Sequence, residues 1–260
     1  MEYPELVGTR RSIRYFDPDR PVEREKVQTI LEACLLASCA VNAHWLKAVV
    51  VERDQVTTED LERMKHPTQA VIISLAPVHI YFYCDLGVID QVKGTRLKEL
   101  IDVGALNPTH GWSYKFVDEV VYPQLLKPLA ESPNYAVFAA FDCGIAVCQG
   151  LLMAFHLGLG AVLTAFLPDV VSKYTNPPDS WLPLHMMNVG YSAESREAGG
   201  QRPRPPFGEQ YFLGRYGNPF PRNPEVVEDL KRERMLQPRA PLPGRKEDIR
   251  ILARRLGLPE

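Results

Sequence analysis

YAVFAAFDCGIAVCQGLLMAFHLGLGAVL, residues 135–163, is the stretch of sequence that decides the fold. Residues 135–157 are apolar on nearly every side, and a helix of that kind has to be covered all round. Small residues, which let another helix approach closely, recur along it at Ala136, Ala140, Gly144 and Ala154. We therefore expect a long buried helix over 135–157, a strand over 161–166, and a second subunit that supplies part of the cover.

The same stretch is long enough to cross a membrane, but its polar residues argue against a membrane span. Asp142 lies near its first third, and an acidic residue at the centre of a membrane helix costs about 2.5–3.5 kcal/mol on insertion scales. Gln149 and His156 follow. The sequence thus favours a buried helix and no membrane partner. Asp142 itself could be a catalytic carboxylate, but pairing with a backbone group or an arginine is the more common role in a buried helix.

Further elements follow from the periodicity of apolar residues. Residues 21–38 carry an amphipathic helix, and 57–74 is expected to be helical. Residues 87–133 predict a helix, a loop and a helix, and 104–130 has the position of a lid over a site. The remaining strands are expected over 45–52, 77–86 and 181–191.

Composition excludes several classes of function. The formal net charge of -2 provides no basic field for nucleic acid. Five cysteines without a two-residue spacing favour reduced, buried thiols in a cytoplasmic protein, and the N-terminus lacks an apolar signal segment. The histidines are scattered, so no metal is expected, and His44 and His156 are expected to be packed or hydrogen-bonded residues. The glycines around 158–160 follow a helix, which predicts a helix end and no dinucleotide turn.

The composition changes after Tyr191, since ten of the 23 prolines lie at or beyond Pro203. We call residues 218–260 the C-terminal extension. Two short amphipathic helices are expected in it, near 224–236 and 246–256, and they bear apolar residues at Val226, Val227, Leu230, Ile249, Leu252 and Leu256. The extension is too short for a core of its own, so we expect it to pack on the main body or on a partner subunit.

Two arginine clusters stand at opposite ends of this mildly acidic chain. TRRSIRYF, residues 9–16, contains Arg10, Arg11 and Arg14, and QRPRPP, residues 201–206, contains Arg202 and Arg204. A solvated basic turn is the simpler interpretation of the first cluster. Since alternate residues of an extended segment point the same way, the second pair can address one anion together. Guanidinium groups suit phosphate through bidentate, charge-assisted bonds, so the two clusters predict a shared phosphate site.

At this point the sequence resembles the nitroreductase family of FMN-dependent oxidoreductases. Four blocks carry the resemblance over roughly residues 5–206. They are RRSIRYFDPDRPVEREKVQTILEACLLA, ASCAVNAHW, FDCGIAVCQGLLMAFHLGLGAVLTAF and NVGYSAESREAGGQRPRPP. The second block departs from the family pattern, since Ser38-Cys39 replaces a proline-serine pair and His44 replaces a glutamine.

The resemblance implies an α+β fold, with a mixed, mostly antiparallel sheet flanked by helices and the long central helix at a homodimer interface. Residues 1–217 would form the FMN-binding domain, and the extension would pack on the dimer. Arg10, Arg11, Ser12 and Arg14 would hold the phosphate, ribityl chain and pyrimidine edge, and Arg202 and Arg204 would close on the phosphate. Leu163 and Thr164 would offer backbone N–H groups or a hydroxyl near flavin N5. Asn42 would lie beside the ring, and Ser38 and Cys39 would reach it from the other subunit.

The function implied is transfer of a hydride from NAD(P)H through flavin N5 to a small nitro, quinone or enone compound, with Arg14 stabilising the reduced flavin. One alternative is a specialised flavoenzyme, such as a biosynthetic dehydrogenase, a reductive dehalogenase or a flavin-fragmenting oxygenase. Another is a non-catalytic flavin-binding protein whose tail docks a partner.

Overall fold

Four strands form one antiparallel sheet at the centre of the chain. The computed structural model describes residues 1–259 and orders the strands β1-β2-β4-β3. They are β1 (Leu46–Glu52), β2 (Val78–Asp85), β3 (Gly160–Thr164) and β4 (Trp181–Gly190). Every residue of β2 is buried, as expected of a central strand covered on both faces. All four strands were predicted from the sequence, β1 and β2 from their β-branched and aromatic content.

Helices surround this sheet and fill the connections between its strands. The α-helices of the described residues are α1 (Tyr3–Thr9), α2 (Arg24–Leu35), α3 (Thr58–Met64), α4 (Ala70–Leu75), α5 (Val88–Val92), α6 (Thr95–Asp102), α7 (Tyr114–Phe116), α8 (Lys127–Ala130), α9 (Tyr135–His156), α10 (Pro168–Thr175), α11 (Pro224–Arg232) and α12 (Arg245–Leu256). A π-helix over Val117–Leu126 joins α7 to α8.

The alternation of side chains along β2 builds a core on each face of the sheet. Ile80 and Phe82 pack with residues of α2 and α9, and Tyr81 and Tyr83 pack on the opposite face with Phe166. Helix α9 packs so closely on α2 that a Cβ at Gly150 would stand only 2.4 Å from the Cys34 Sγ. The lack of a side chain at Gly150 therefore permits this approach.

Much of α9 is left uncovered by its own chain. Val137 is 72% exposed and Phe141 is 71% exposed, although both are large apolar residues. By length and composition α9 could also cross a membrane, and a third of its most apolar window is buried inside the chain. Core helices of globular proteins meet the same test, so this finding is weak on its own.

Three predicted helical regions are interrupted in the structure. The region 57–74 is split around Pro67, where α3 ends at Met64 and α4 begins at Ala70. The first helix of 87–133 is split into α5 and α6 by Lys93 and Gly94, whose φ angles are 44° and 83°. The second contains the π-helix around Pro123, which has no N–H to offer a regular helix. Helix α11 ends at Arg232, earlier than predicted.

Candidate functional site

The first arginine cluster is laid against the edge of the sheet. The Ile13 N–H donates to the Ala161 carbonyl (3.2 Å), and the Asp17 N–H donates to the Tyr191 carbonyl (2.8 Å). A parallel bridge joins Ser12 to Ala161, so residue 12 continues the sheet beyond β3. Ile13 is fully buried, which anchors the segment and leaves the neighbouring Arg14 side chain exposed.

The second arginine cluster meets the first at this edge. Burial lowers the pKa of Arg10, and the positive charge of Arg204 lowers it further. Burial likewise lowers the pKa of Arg202, with a further contribution from the charge of Arg14. Like charges influence one another this way only when they lie close together. The structure therefore brings the two ends of the sequence to one place, as the shared phosphate site requires.

These guanidinium groups have few partners within residues 1–259. Arg10 and Arg202 form no side-chain hydrogen bond there, while Arg14 Nη1 donates only to the Ser12 carbonyl and Arg204 Nη1 only to the Pro203 carbonyl. No carboxylate of the described chain stands within salt-bridge distance of any of the four, although thirteen such pairs form elsewhere in it. The arrangement is a concentration of positive charge with unused donors.

Arg11 differs from the other arginines because it is turned into the chain. Only 5% of it is exposed, and its Nη1 donates to the Gly8 carbonyl (2.6 Å) and the Arg10 carbonyl (2.9 Å). Its Nη2 reaches Gln237 of the C-terminal extension (3.3 Å). Its Nε is buried without a partner in the described chain. Arg11 thus caps carbonyl groups at the C-terminal end of α1, and its Nε–H has no hydrogen-bond acceptor in the described chain.

Glu194 binds the backbone of the first arginine cluster. The sequence analysis did not identify this residue. Its carboxylate accepts hydrogen bonds from the backbone N–H groups of Arg14 (2.8 Å) and Tyr15 (3.3 Å). Its second oxygen pairs with Arg245 at 2.5 Å, and only 1% of the Glu194 side chain is exposed. No local sequence signal could have indicated the pairing of Glu194 with Arg245, because the two residues are 51 positions apart in the chain.

Ser38, Cys39 and Asn42 form a second group, in the segment that contacts Asp142 of α9. Ser38 and Cys39 line a cavity of about 380 Å³ together with His44 and Asp142. Asp142 accepts a hydrogen bond from the Ala40 N–H (2.6 Å), which confirms the prediction that it pairs with the backbone. Within one chain this group does not join the arginines.

Backbone strain is concentrated in the same segment. Val41, Asn42 and His44 have φ angles of 51°, 52° and 55°, in the left-handed region that β-branched residues avoid. Each such residue costs about 1–3 kcal/mol, and strain of this kind collects at functional sites. The His44 Nε2 lies 2.8 Å from the Asn42 Oδ1, and because that oxygen can only accept, His44 is the donor. Burial lowers the pKa of His44, which favours its neutral form.

Helix α9 connects the two groups. Asp142 contacts the strained segment, and Cys148 lies within electrostatic range of Arg10. Six residues of helix separate them, which corresponds to about 9 Å along the axis. The expected packing of His156 is wrong, however, since this residue is exposed at the end of α9.

Leu163 and Thr164 lie on β3, next to the arginine turn. The Ala161 carbonyl points away from β4 to meet Ile13, so two residues on, the backbone of Leu163 points to the same free edge. The Thr164 side chain is instead buried, and its hydroxyl accepts a hydrogen bond from the Asn188 Nδ2 (2.8 Å). The backbone N–H of Leu163 therefore faces the free edge of the sheet, whereas the Thr164 hydroxyl faces the interior.

Thr164 ends a buried polar chain that sequence reasoning missed. The Asn188 Oδ1 lies 2.9 Å from the His79 Nδ1, and both residues are fully buried. Burial lowers the pKa of His79 to about 4, so it is neutral and donates this proton to Asn188. The pattern of β2 marks His79 as a core position but contains no sign of its partner on β4.

Within residues 1–259, no three His, Cys, Asp or Glu side chains are grouped so that they could hold a metal ion. The same residues contain no disulfide, and Cys34, Cys84 and Cys143 are buried, whereas Cys148 is exposed.

Comparison with known proteins confirms the resemblance seen in the sequence. The nitroreductase family model matches residues 7–79, which include the arginine turn, α2 and the strained segment. A candidate NADH dehydrogenase/NAD(P)H nitroreductase of Methanothermobacter thermautotrophicus is 26% identical over 200 residues, which make up 75% of this chain and 80% of that protein.

Solved structures share the fold. A nitroreductase-like protein from Streptococcus mutans superposes with a TM-score of 0.65 at 19% identity, over 81% of this chain and 97% of its own. A candidate nitroreductase from Exiguobacterium sibiricum, solved in complex with FMN, has a TM-score of 0.60 at 19% identity, over 75% of this chain and 90% of its own. These likenesses confirm the predicted fold class, an antiparallel sheet flanked by helices in the nitroreductase arrangement.

Proposed function

We propose that this protein is an FMN-dependent oxidoreductase that acts as a homodimer, takes electrons from NAD(P)H and reduces a small nitro, quinone or enone compound. The observation that carries the proposal is the convergence of Arg10, Arg14, Arg202 and Arg204 without a paired carboxylate. The family resemblance and the FMN-bound neighbour support the same cofactor.

The residues present fit a phosphate ester. A flavin phosphate carries nearly two negative charges, and guanidinium donors bind such a group by bidentate, charge-assisted bonds. Arg10 and Arg202 have all their side-chain donors free within residues 1–259, and Arg204 reaches the same place. Because burial and mutual repulsion lower the pKa values of Arg10 and Arg202, a dianion here would relieve an existing electrostatic cost.

When bound, FMN supplies the hydride chemistry of the reaction, between nicotinamide and acceptor. The residues of this chain hold the cofactor and place positive charge beside it. Arg10, Arg202 and Arg204 hold the phosphate, and the outward-facing backbone of Leu163 lies along the free edge of β3 for the ring. Arg14, exposed on the same turn, places a positive charge where negative charge develops during reduction. No side-chain acid or base is required for these steps.

The second group of residues completes the site from the second subunit. Ser38 and Cys39, with Asn42 close by in the sequence, line a cavity beside Asp142 of α9, and no arginine is among the described residues that line it. In a homodimer packed through α9, they would face the flavin of the other subunit. The exposed apolar residues Val137 and Phe141 mark the face of α9 that this contact would cover.

A visible spectrum of the purified protein tests the proposal most directly. We expect a yellow protein with the absorption bands of noncovalently bound FMN, bleached by NADPH or NADH under anaerobic conditions and recoloured by a nitro, quinone or enone acceptor. Protein that takes up no flavin would contradict the proposal. Flavin that binds but is never bleached by either nicotinamide would favour the non-catalytic flavin-binding protein instead.

A further inference from the structure

Residues 234–245 of the C-terminal extension contact both arginine clusters. We propose that this segment, which we call the tail clamp, is a wall of the phosphate site, so that its docking and the binding of a flavin phosphate reinforce each other. The inference rests on the proposed function and adds a regulating element to the same site.

Gln201, directly before Arg202, is the centre of the clamp. Its N–H donates to the Pro238 carbonyl (3.0 Å), and its carbonyl accepts from the Ala240 N–H (2.8 Å), so the segment before Arg202 pairs with the extension as a short strand would. Its side-chain Nε2 donates to the Met235 carbonyl (3.0 Å), and its Oε1 accepts from the Gln237 N–H (3.1 Å).

The same side chain also reaches the first arginine cluster. The Gln201 Nε2 lies 3.4 Å from the Gly8 carbonyl, two residues before Arg10. Arg11 binds the Gly8 carbonyl as well and extends to the Gln237 Oε1 (3.3 Å). One glutamine and one arginine therefore tie α1, the segment before Arg202 and the tail clamp into a single hydrogen-bonded unit.

Two positions are shaped for close backbone contact with the clamp. A Cβ at Gly8 would lie 2.3 Å from the Arg234 carbonyl oxygen and from the Met235 Cα, so only glycine fits. Gly200 has a φ of 109°, and a Cβ there would stand 3.0 Å from the Ala240 nitrogen. Both glycines lie one or two residues from an arginine cluster.

The far end of the clamp is fixed by a buried ion pair. Arg245 binds Glu194 at 2.5 Å, with only 15% of the Arg245 side chain exposed. Glu194 in turn accepts from the Arg14 N–H. Removal of one partner of a buried pair is costly, because it leaves an uncompensated charge. The tail clamp is thus also connected to the backbone of Arg14, through Arg245 and Glu194.

These contacts matter because the two clusters repel each other. Arg204 lowers the pKa of Arg10, and Arg202 and Arg204 lower that of Arg11, with burial as the largest cause in both cases. A restraint that holds repelling groups together before the ligand arrives reduces the cost of binding. Linkage is reciprocal, so a phosphate that bridges the clusters must stabilise the docked clamp by the same factor.

Hydrogen exchange on the wild-type protein tests the coupling without any substitution. We expect the amides of Gln237, Ala240 and Leu242, which donate to Gln201 and Gly199, to exchange more slowly with FMN bound than with riboflavin bound. Riboflavin has the same ring and no phosphate, so it serves as the control ligand. Equal protection by the two flavins would overturn the proposal.

A matched pair of variants supplies the second test. Gln201→Ala should weaken FMN binding by about tenfold while leaving riboflavin unchanged, because two or more hydrogen bonds of the clamp are lost. Gln210→Ala is the control, since the exposed Gln210 side chain donates only to its neighbour Glu209. Wild-type-like FMN affinity in Gln201→Ala would overturn the coupling alone. Wild-type protein that binds neither flavin would overturn the proposed function, and the inference with it.

Discussion

Arg10 and Arg204 lie almost two hundred residues apart in the sequence and within electrostatic range in the fold. If both hold the flavin phosphate, Arg10→Ala or Arg204→Ala removes a charge-assisted bond worth about 1.5–3 kcal/mol. We expect FMN binding to weaken by about ten- to a hundredfold. Riboflavin binding should be spared, and dissociation constants from flavin fluorescence measure both.

Arg215→Ala provides the matched control, because Arg215 is exposed in the neighbouring segment and forms no salt bridge in the described chain. It should leave both dissociation constants unchanged. A loss of FMN and riboflavin by the same factor in Arg10→Ala would show that the phosphate assignment is wrong.

Arg14 should behave differently, because its exposed side chain is assigned to the pyrimidine edge of the flavin. Arg14→Ala should lower the reduction potential of the bound flavin and slow anaerobic reduction by NAD(P)H more than it weakens binding. Arg14→Lys keeps the charge and should retain most of the potential. An unchanged potential in Arg14→Ala would place Arg14 away from the ring.

His79 predicts a dependence of stability on pH. Burial lowers its pKa to about 4, whereas an exposed histidine titrates near 6.5. Between these pH values the unfolded chain binds the proton and the folded chain does not, so the free energy of unfolding falls as the pH falls. The full loss is about 3 kcal/mol, and above pH 6.5 it vanishes.

Urea unfolding at pH 4.5 to 7.5 checks this contribution. His79→Gln should give a flatter profile than wild type in that window, whatever its stability at pH 7. His110→Gln is the control, because His110 is exposed. Parallel profiles for wild type and His79→Gln would show that folding does not shift the pKa of His79.

At the scale of elements, the periodicity of apolar residues predicted the strands and the long helix. It did not predict the breaks that single residues introduce into helices. The four strands and α9 came from long apolar or β-branched runs. The breaks at Pro67 and at Lys93-Gly94 fall within patterns that are still helical on either side. The contacts of a side chain are not predicted either, since the bond from Arg11 Nη2 to Gln237 joins residues 226 positions apart, which a local pattern cannot reveal.

Helix α9 carries the prediction that belongs to this scale. Phe141 is 71% exposed on a helix whose apolar face its own chain does not cover. In a symmetric dimer each substitution acts twice, so Phe141→Glu would bury two unpaired charges. We expect this variant to be monomeric at micromolar concentration by light scattering, and to lose FMN with the shared site.

Val103→Glu is the control for that experiment, because Val103 is an equally exposed apolar residue, at 77%, beyond the end of α6. It should remain a dimer. A wild-type protein that is itself monomeric would contradict the homodimer, and a dimeric Phe141→Glu would exclude α9 from the interface.

At the scale of the whole molecule, the path of the extension is what the sequence could least predict. The two amphipathic helices predicted that the extension packs on the body or on a partner subunit. Of the two, only α12 buries apolar residues, Leu252 and Ala253, and α11 buries none. Val226 and Ile249 of the predicted stripes are 51% and 37% exposed. The contacts that hold the extension are mostly polar and join residues from 34 to 226 positions apart, so no local pattern reports them.

Removal of the extension should therefore destabilise the body of the protein. A chain that ends at Gly217 removes Arg245 from its ion pair with the buried Glu194, which costs about 3–5 kcal/mol, and exposes the apolar cluster of Ile13 and Phe16 on which Leu256 packs. At 2–4 °C per kcal/mol for a domain of this size, the melting temperature should fall by about 10 °C. Arg245→Ala in the full chain should reproduce part of the fall, and Lys231→Ala, whose side chain pairs only with exposed Glu228, should not. If the shortened chain melts like the full one and keeps its oligomeric state but loses a binding partner, the extension is a docking element and not a support of the fold.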